Sequence, residues 1–360
     1  MRKILLIFST FIFTISITII FWLMLELGVR VALYVKSGDS VFLTYGFANT
    51  ISNNNELYDQ IYDPQGNRIY WKCKSSNNQR NPVNSHGFRG AEIMEKCPGK
   101  TRVLCFGGST TYGLTLPYEE TYPKLLQQAL DLAAGRNHFE VINAGFPAFR
   151  LKQIIALYEH EVVNLNPDIV IIMNVFNNLV TDDKDFFYIQ VTDKKGKLLN
   201  CIANKIIEKS KRYSLLVESV ANIAQKGYRD FLKNRNWQKG ANAIMRSTGL
   251  WENITADLQH FFSVLTYNNK AIRIIVLDEA MNTIDYPELA PPMNKAYQVQ
   301  RAVCAAYKNV EHADPNAILN KAQLTGEKIW FASYYDPIHL SRTGNELLAA
   351  FVAEEILQAY

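Results

Sequence analysis

The chain has 360 residues, of which 48% are hydrophobic, and its 38 Lys and Arg residues against 34 Asp and Glu give a net charge of +4. A chain of this length and composition has enough apolar residues for one large core. The composition excludes a disordered or fibrous protein and predicts a globular one.

The amino terminus differs from the rest of the chain. After Arg2 and Lys3, residues 4–25 carry no charge, and as a helix they are long enough to cross a hydrocarbon core of ~30 Å. Because the basic residues come first, we predict a transmembrane signal anchor over residues 1–30, with the amino terminus cytoplasmic and the following domain periplasmic or extracellular. A cleaved signal peptide is the alternative, although no Ala-x-Ala-like site follows the apolar run.

Residues 31–100 are polar and contain turn-forming stretches such as Asp63-Pro64-Gln65-Gly66. We predict a membrane-proximal extension that lies against the following domain. Five cysteines in an exported chain cannot all pair internally. Cys73 and Cys97 flank one polar segment, so we predict a disulfide between them in an oxidising compartment, and we expect Cys105 to be a small buried hydrophobe.

From residue 101 onward, short apolar runs alternate with helical patterns. Runs typical of buried strands occupy residues 102–106, 139–142, 168–173 and 271–277, with a fifth near Val310. Apolar positions at helical spacing lie between them, including residues 122–133, 151–163, 251–265 and 294–307. This alternation predicts an α/β domain over residues 101–360, with a flavodoxin-like, doubly wound parallel sheet of about five strands and helices on both faces.

A long basic insert interrupts this alternation at residues 181–246. Between residues 194 and 246, thirteen Lys and Arg against three acidic residues give an excess of +10, whereas the whole chain carries +4. Its apolar spacing predicts one or two amphipathic helices. The insert is either a solvated cover or a contact for an acidic polymer or anionic headgroups. No nucleic-acid motif is present, so no nucleic-acid partner is predicted.

Two segments carry residues suited to nucleophilic catalysis. Ser109 follows the first strand after Gly107 and Gly108, which let the backbone turn sharply and project the hydroxyl into the crevice where such sheets bind ligands. Asp336 and His339 lie just before the last helical stretch. A serine hydroxyl needs a base to take its proton, and an imidazole base needs an acid on its other nitrogen. An Asp-x-x-His segment supplies both groups.

Gly107-Gly108-Ser109-Thr110 ahead of the first helix and Asp336-x-x-His339 ahead of the last resemble the first and last blocks of the SGNH (GDSL-type) hydrolases. Residues 84–90 (NSHGFRG) resemble a segment seen ahead of the nucleophile in membrane-anchored bacterial envelope members of that family. The resemblance implies that Ser109 is the nucleophile, His339 the general base and then acid, and Asp336 the residue that orients His339.

The resemblance also implies an oxyanion hole made by Ser109, Ala148 and Asn177. The register from Asn143 places Ala148 where the family has a glycine whose N–H donates, with Gly145 as the alternative. The third block, usually Gly-x-Asn-Asp, reads Val175-Phe176-Asn177-Asn178 here, and Asn177 keeps the amide that would donate to the oxyanion.

These observations predict a serine-dependent carboxylic ester hydrolase, an esterase or deacetylase acting on an acylated envelope glycan or lipid through an acyl-enzyme. An O-acetyltransferase using the same triad is one alternative, and a non-catalytic scaffold of an envelope-polymer assembly is another. No Cys/His spacing indicates zinc, so neither a metal nor a cofactor is predicted. The N-terminal helix would supply contact with the membrane.

Overall fold

The computed structural model describes residues 2–37, 58–66, 68–79, 81–114, 116–179, 241–242, 244–330 and 337–358. Most of the predicted basic insert lies outside these residues. Asp336 also lies outside them.

The first helix, α1 (Arg2–Ser37), is longer than the predicted segment of residues 1–30. Many of its large apolar side chains are exposed, among them Phe13, Trp22 and Met24, and its second half carries an ion pair between Glu26 and Arg30 at 2.6 Å. None of the described helices combines the length and the apolar character that crossing a bilayer requires, so the predicted transmembrane helix is not supported.

The extension contains a hairpin that the sequence analysis did not predict. Strands β1 (Tyr58–Tyr62) and β2 (Arg68–Cys73) pair antiparallel around the turn at residues 63–66. The rings of Tyr70 and Trp71 in β2 contact Phe149, with centroid distances of 6.5 and 4.9 Å. This part of the extension therefore packs on the α/β domain.

The domain is built on five parallel strands: β3 (Thr101–Gly107), β4 (Phe139–Gly145), β5 (Ile169–Met173), β6 (Arg273–Leu277) and β7 (Val310–Ala313). Their order across the sheet is β4-β3-β5-β6-β7. The chain leaves β3 toward β4 on one side and continues to β5, β6 and β7 on the other. This is the predicted flavodoxin-like order, and ligands bind such sheets at the carboxyl ends of the strands where the direction reverses.

Eight helices follow in the described part of the domain: α2 (Ser109–Tyr112), α3 (Tyr122–Ala134), α4 (Leu151–Leu157), α5 (Phe176–Leu179), α6 (Thr248–Asn268), α7 (Ala290–Cys304), α8 (Asn316–Leu324) and α9 (Arg342–Leu357). Alternate residues of each strand face opposite cores. Leu104 and Phe106 pack with α4, α6 and α7, whereas Val103 and Cys105 pack with α3, α8 and α9. Helices therefore cover both faces of the sheet.

The helix after β4 is shorter than the predicted residues 151–163. The α-helix ends at Leu157, and a π-helical turn (Tyr158–Val162) and a 3-10 turn (Val163–Leu165) complete the segment. Within the π-helical turn, Glu161 accepts hydrogen bonds from Lys72 at 3.0 Å and Tyr70 at 3.3 Å. A contact with the hairpin, which periodicity cannot reveal, thus coincides with the change of helix type.

The predicted disulfide is wrong, because Cys73 and Cys97 are both free thiols. Cys73 ends β2 and is buried, and burial raises the pKa of its thiol to about 12. Cys97 is exposed in the turn before β3. The sequence separation of the two residues carried no information on this difference in burial. Cys105 is fully buried in β3, as predicted.

Candidate active site

Ser109 begins α2 at the carboxyl end of β3, where the chain turns out of the sheet. Glycine is required at both preceding positions, because neighbouring atoms lie too close to leave space for a Cβ. A Cβ at Gly107 would lie 2.0 Å from Thr111 Oγ1 and 2.6 Å from the Met173 carbonyl oxygen, and one at Gly108 would lie 2.5 Å from Asn177 Nδ2. The serine is 8% exposed and is therefore buried among the described residues.

His339 meets Ser109 directly, although 230 residues separate them in the chain. The Nε2 atom of His339 lies 2.7 Å from Ser109 Oγ. A second contact joins the same two segments, since the Thr110 hydroxyl donates to the Ile338 carbonyl at 3.5 Å. The structure therefore brings the first and last predicted site segments into contact. Asp336, predicted to orient His339, lies outside the described residues.

The amide of Asn177 lies against the turn that carries Ser109. Its Nδ2 donates to the Phe149 carbonyl at 2.9 Å, and the same nitrogen limits the space beside Gly108. An amide NH₂ has two hydrogens, so the bond to Phe149 fixes the group while the second hydrogen can serve another acceptor. Asn174 donates to the same carbonyl at 2.8 Å, which joins the loops after β4 and β5.

Ala148 lies in the loop after β4, one residue before Phe149, and has φ of +66°. This left-handed conformation favours glycine, the residue that the resemblance expects there. The alternative donor, Gly145, uses its N–H to donate to Asn143 Oδ1 at 3.0 Å. A Cβ on Gly145 would lie 2.5 Å from the Tyr112 backbone nitrogen. Gly145 is thus explained by close packing, which favours Ala148 as the donor.

A buried arginine supports helix α2, which begins at Ser109, and sequence reasoning assigned it no role. Arg89 donates to the Tyr112 carbonyl at 2.8 Å and also to the carbonyls of Gly113 and Leu116, at the end of α2. Its guanidinium also lies 4.9 Å from the Tyr112 ring centroid. Arg89 belongs to the NSHGFRG segment, so that segment buttresses the turn carrying Ser109. An arginine beside two glycines in a turn segment was the available signal.

Two buried carboxylates follow β6, and the sequence analysis singled out neither. Asp278 pairs with Arg301 at 2.8 Å and contacts His312 Nε2 at 2.7 Å. Glu279 points elsewhere and accepts the backbone N–H groups of Val175 and Phe176. Both directly follow a strand and so lie at the carboxyl edge of the sheet, and this position is the signal by which the sequence could have identified them. Across the described residues, no group of three or more His, Cys, Asp or Glu side chains is arranged to hold a metal.

Comparison with solved structures finds several similar chains, all at low sequence identity and low TM-score. A lipase/acylhydrolase from Enterococcus faecalis is 18% identical, with a TM-score of 0.44, over 71% of this chain and 95% of that one. A putative GDSL-like lipase from Parabacteroides merdae is 11% identical, with a TM-score of 0.46, over 73% of this chain and 100% of that one.

A catalytic mutant of Axe2, an acetylxylan esterase from Geobacillus stearothermophilus, is 16% identical, with a TM-score of 0.42, over 72% of this chain and 96% of that one. No protein-family model matches the sequence. No curated protein matches it either. The functional argument therefore rests on the geometry of the site.

Proposed function

We propose that the chain is a serine-dependent carboxylic ester hydrolase with Ser109 as nucleophile, His339 as general base and Asp336 as the acid that orients His339. The distance of 2.7 Å between Ser109 Oγ and His339 Nε2 carries this proposal. It is the separation at which a hydroxyl donates its proton to an imidazole. The proposed site lies at the carboxyl edge of the sheet, where this type of fold binds ligands.

In the proposed reaction, Ser109 Oγ attacks the ester carbonyl carbon while His339 Nε2 takes the hydroxyl proton. The resulting oxyanion accepts hydrogen bonds from the backbone N–H groups of Ser109 and Ala148 and from the Asn177 amide. The C–O bond of the ester breaks, and His339 returns the proton to the departing alkoxide. Water then attacks the acyl-enzyme with His339 again as base, which releases the acid and restores Ser109.

The experiment is an assay against p-nitrophenyl esters of graded acyl length, with an acetylated polysaccharide alongside. Wild-type protein should hydrolyse at least one ester, and Ser109→Ala should not. Ser263→Ala is the matched control, since it removes an exposed hydroxyl from α6. Equal activity in folded Ser109→Ala protein would contradict the proposal. Transfer of the acyl group to a sugar hydroxyl in preference to water would identify an O-acetyltransferase that uses the same triad.

We also propose that the substrate is an acylated glycan or lipid of the cell envelope and that the α/β domain is exported. The basic pair Arg2 and Lys3 ahead of the uncharged residues 4–25 supports export, because that order is typical of a segment that directs the following chain across a membrane. A reporter fused after Tyr360 should be active only if it works outside the cytoplasm. Cytoplasmic activity of the fusion would refute both the export and the envelope substrate.

A further inference from the structure

Glu279 contacts the turn that presents Asn177. It follows β6, is 1% exposed, and its Oε2 accepts the N–H groups of Val175 at 2.8 Å and Phe176 at 2.6 Å. These two residues immediately precede Asn177 at the start of α5. A carboxylate that accepts two backbone N–H groups fixes the peptide planes on which they lie. The position of the Asn177 amide therefore depends on Glu279.

The loop after β6, which contains Glu279, also contacts the segment that carries His339. The backbone N–H of Asn282 donates to the Pro337 carbonyl at 2.8 Å, two residues before His339. The loop itself is anchored, because the Tyr297 hydroxyl donates to the Glu279 carbonyl at 2.6 Å. Residues 279–282 thus join the loop of the proposed oxyanion donor to the loop of the proposed base.

The carboxyl group of Glu279 is held by the backbone. Burial raises its pKa, and the N–H groups of Phe176 and Val175 and the charge of His339 oppose that shift only in part. Among the described residues, no Lys or Arg forms an ion pair with Glu279. In the described part of the chain, the polar partners of its side chain are therefore the N–H groups of Val175 and Phe176.

We propose that Glu279 is a positioning residue of the hydrolase: its carboxyl group holds the Asn177 turn through the N–H groups of residues 175 and 176, and its loop holds the segment of His339 through the Pro337 carbonyl. This inference rests on the proposed function. It assigns the effect to two properties of one side chain, its reach and its acceptor oxygen.

Two variants separate these properties. Glu279→Asp withdraws the carboxylate by one methylene, so kcat should fall ~10–100-fold with KM unchanged, less than the ~10²–10³ expected for complete loss of the oxyanion donor.

Glu279→Gln keeps both the reach and an acceptor oxygen. A side-chain amide oxygen has two lone pairs and can accept both N–H groups, so kcat should stay within about threefold of the wild-type value. Glu311→Gln is the matched control, because Glu311 is exposed and pairs with Arg273 away from the site. Its kcat and KM should equal those of the wild type.

The outcomes distinguish the two proposals. A wild-type protein that is inactive on every ester refutes the proposed function itself. An active wild type whose folded Glu279→Asp variant keeps kcat, or whose folded Glu279→Gln variant loses as much kcat as Glu279→Asp, overturns the role of Glu279 alone. If Glu279→Gln fails to fold by circular dichroism, kcat of Glu279→Asp decides, because an unchanged value there also overturns the role.

Discussion

Two histidines at the carboxyl edge of the sheet make contacts of equal length to different partners. His339 Nε2 lies 2.7 Å from the Ser109 hydroxyl, and His312 Nε2 lies 2.7 Å from the Asp278 carboxylate. Asp278 is also paired with Arg301, which in turn reaches Asp314. The His312 contact thus belongs to a network in which the carboxylate is already paired with an arginine, whereas the partner of His339 is a hydroxyl, the group that we propose as the nucleophile. A short histidine contact alone does not define a reactive site; its partner does.

The largest expected effect compares the two histidines directly. His339→Ala should lower kcat by up to ~10⁶, by analogy with removal of the base from a serine protease, because Ser109 loses its proton acceptor. His312→Ala should leave kcat unchanged and lower the free energy of unfolding by about 1.5–3 kcal/mol, as for a hydrogen bond to a charged group. Kinetics and urea unfolding measure both. Similar losses of kcat in the two variants would remove the distinction between the regions.

Replacement of the predicted orienting acid comes next. Asp336→Asn should lower kcat by up to ~10⁴ with little change in KM, because the amide favours the wrong tautomer of His339. Asp314→Asn is the control, as its partly exposed carboxylate belongs to the Arg301 network. Steady-state kinetics of both proteins test this, and wild-type turnover in Asp336→Asn would mean that another group orients His339.

The predicted oxyanion donor should matter less. Asn177→Ala removes one donor, for an expected loss of ~10²–10³ in kcat, or about 3–4 kcal/mol of transition-state stabilisation. Asn268→Ala, which removes an exposed amide at the end of α6, is the control. If Asn177→Ala changes only KM, the amide binds substrate and is not part of the oxyanion hole.

Arg89 should affect stability more than chemistry. Arg89→Met leaves the carbonyls of Tyr112, Gly113 and Leu116 without their buried donor, so the free energy of unfolding should fall by about 2–4 kcal/mol. Arg136→Met, at an exposed turn, should change it little. Chemical denaturation compares the two variants. Equal free energies of unfolding would show that the Arg89 contacts do not stabilise the turn that carries Ser109.

The smallest expected effect concerns Ala148. Glycine lacks the steric penalty of the left-handed conformation, roughly 1 kcal/mol, so Ala148→Gly should raise the free energy of unfolding by about 0.5–1 kcal/mol and leave kcat within about twofold. Ala317→Gly, at an exposed position of α8, should lower it by a similar amount. A destabilised Ala148→Gly protein would show that the methyl group contributes packing that outweighs the backbone penalty.

Sequence reasoning succeeded where a local pattern determines the outcome. Buried strands and amphipathic helices have distinct periodicities, so the five parallel strands were predicted, and β3 and β5 lie within a residue of the predicted bounds. The resemblance to the SGNH hydrolases implied that Ser109 and His339 would meet, and their side chains lie 2.7 Å apart.

Sequence reasoning failed where a contact between distant segments determines the local structure. Glu161 in the π-helical turn contacts the hairpin. Cys73 and Cys97 differ in burial and are both free thiols. Glu279 contacts backbone N–H groups about a hundred residues away, and its proposed role depends on them. None of these contacts leaves a periodic trace. Arg89 and Glu279 were therefore visible in the sequence only as charged residues beside a turn or strand.

The central claim is that Ser109 is activated by His339, and covalent labelling with a fluorophosphonate tests it most directly. Such probes phosphonylate an activated serine. Mass mapping of the wild-type protein should find the adduct on Ser109, and labelling should disappear in His339→Ala while persisting in His312→Ala. An adduct on another residue, or equal labelling of Ser109 in wild type and His339→Ala, would contradict the account.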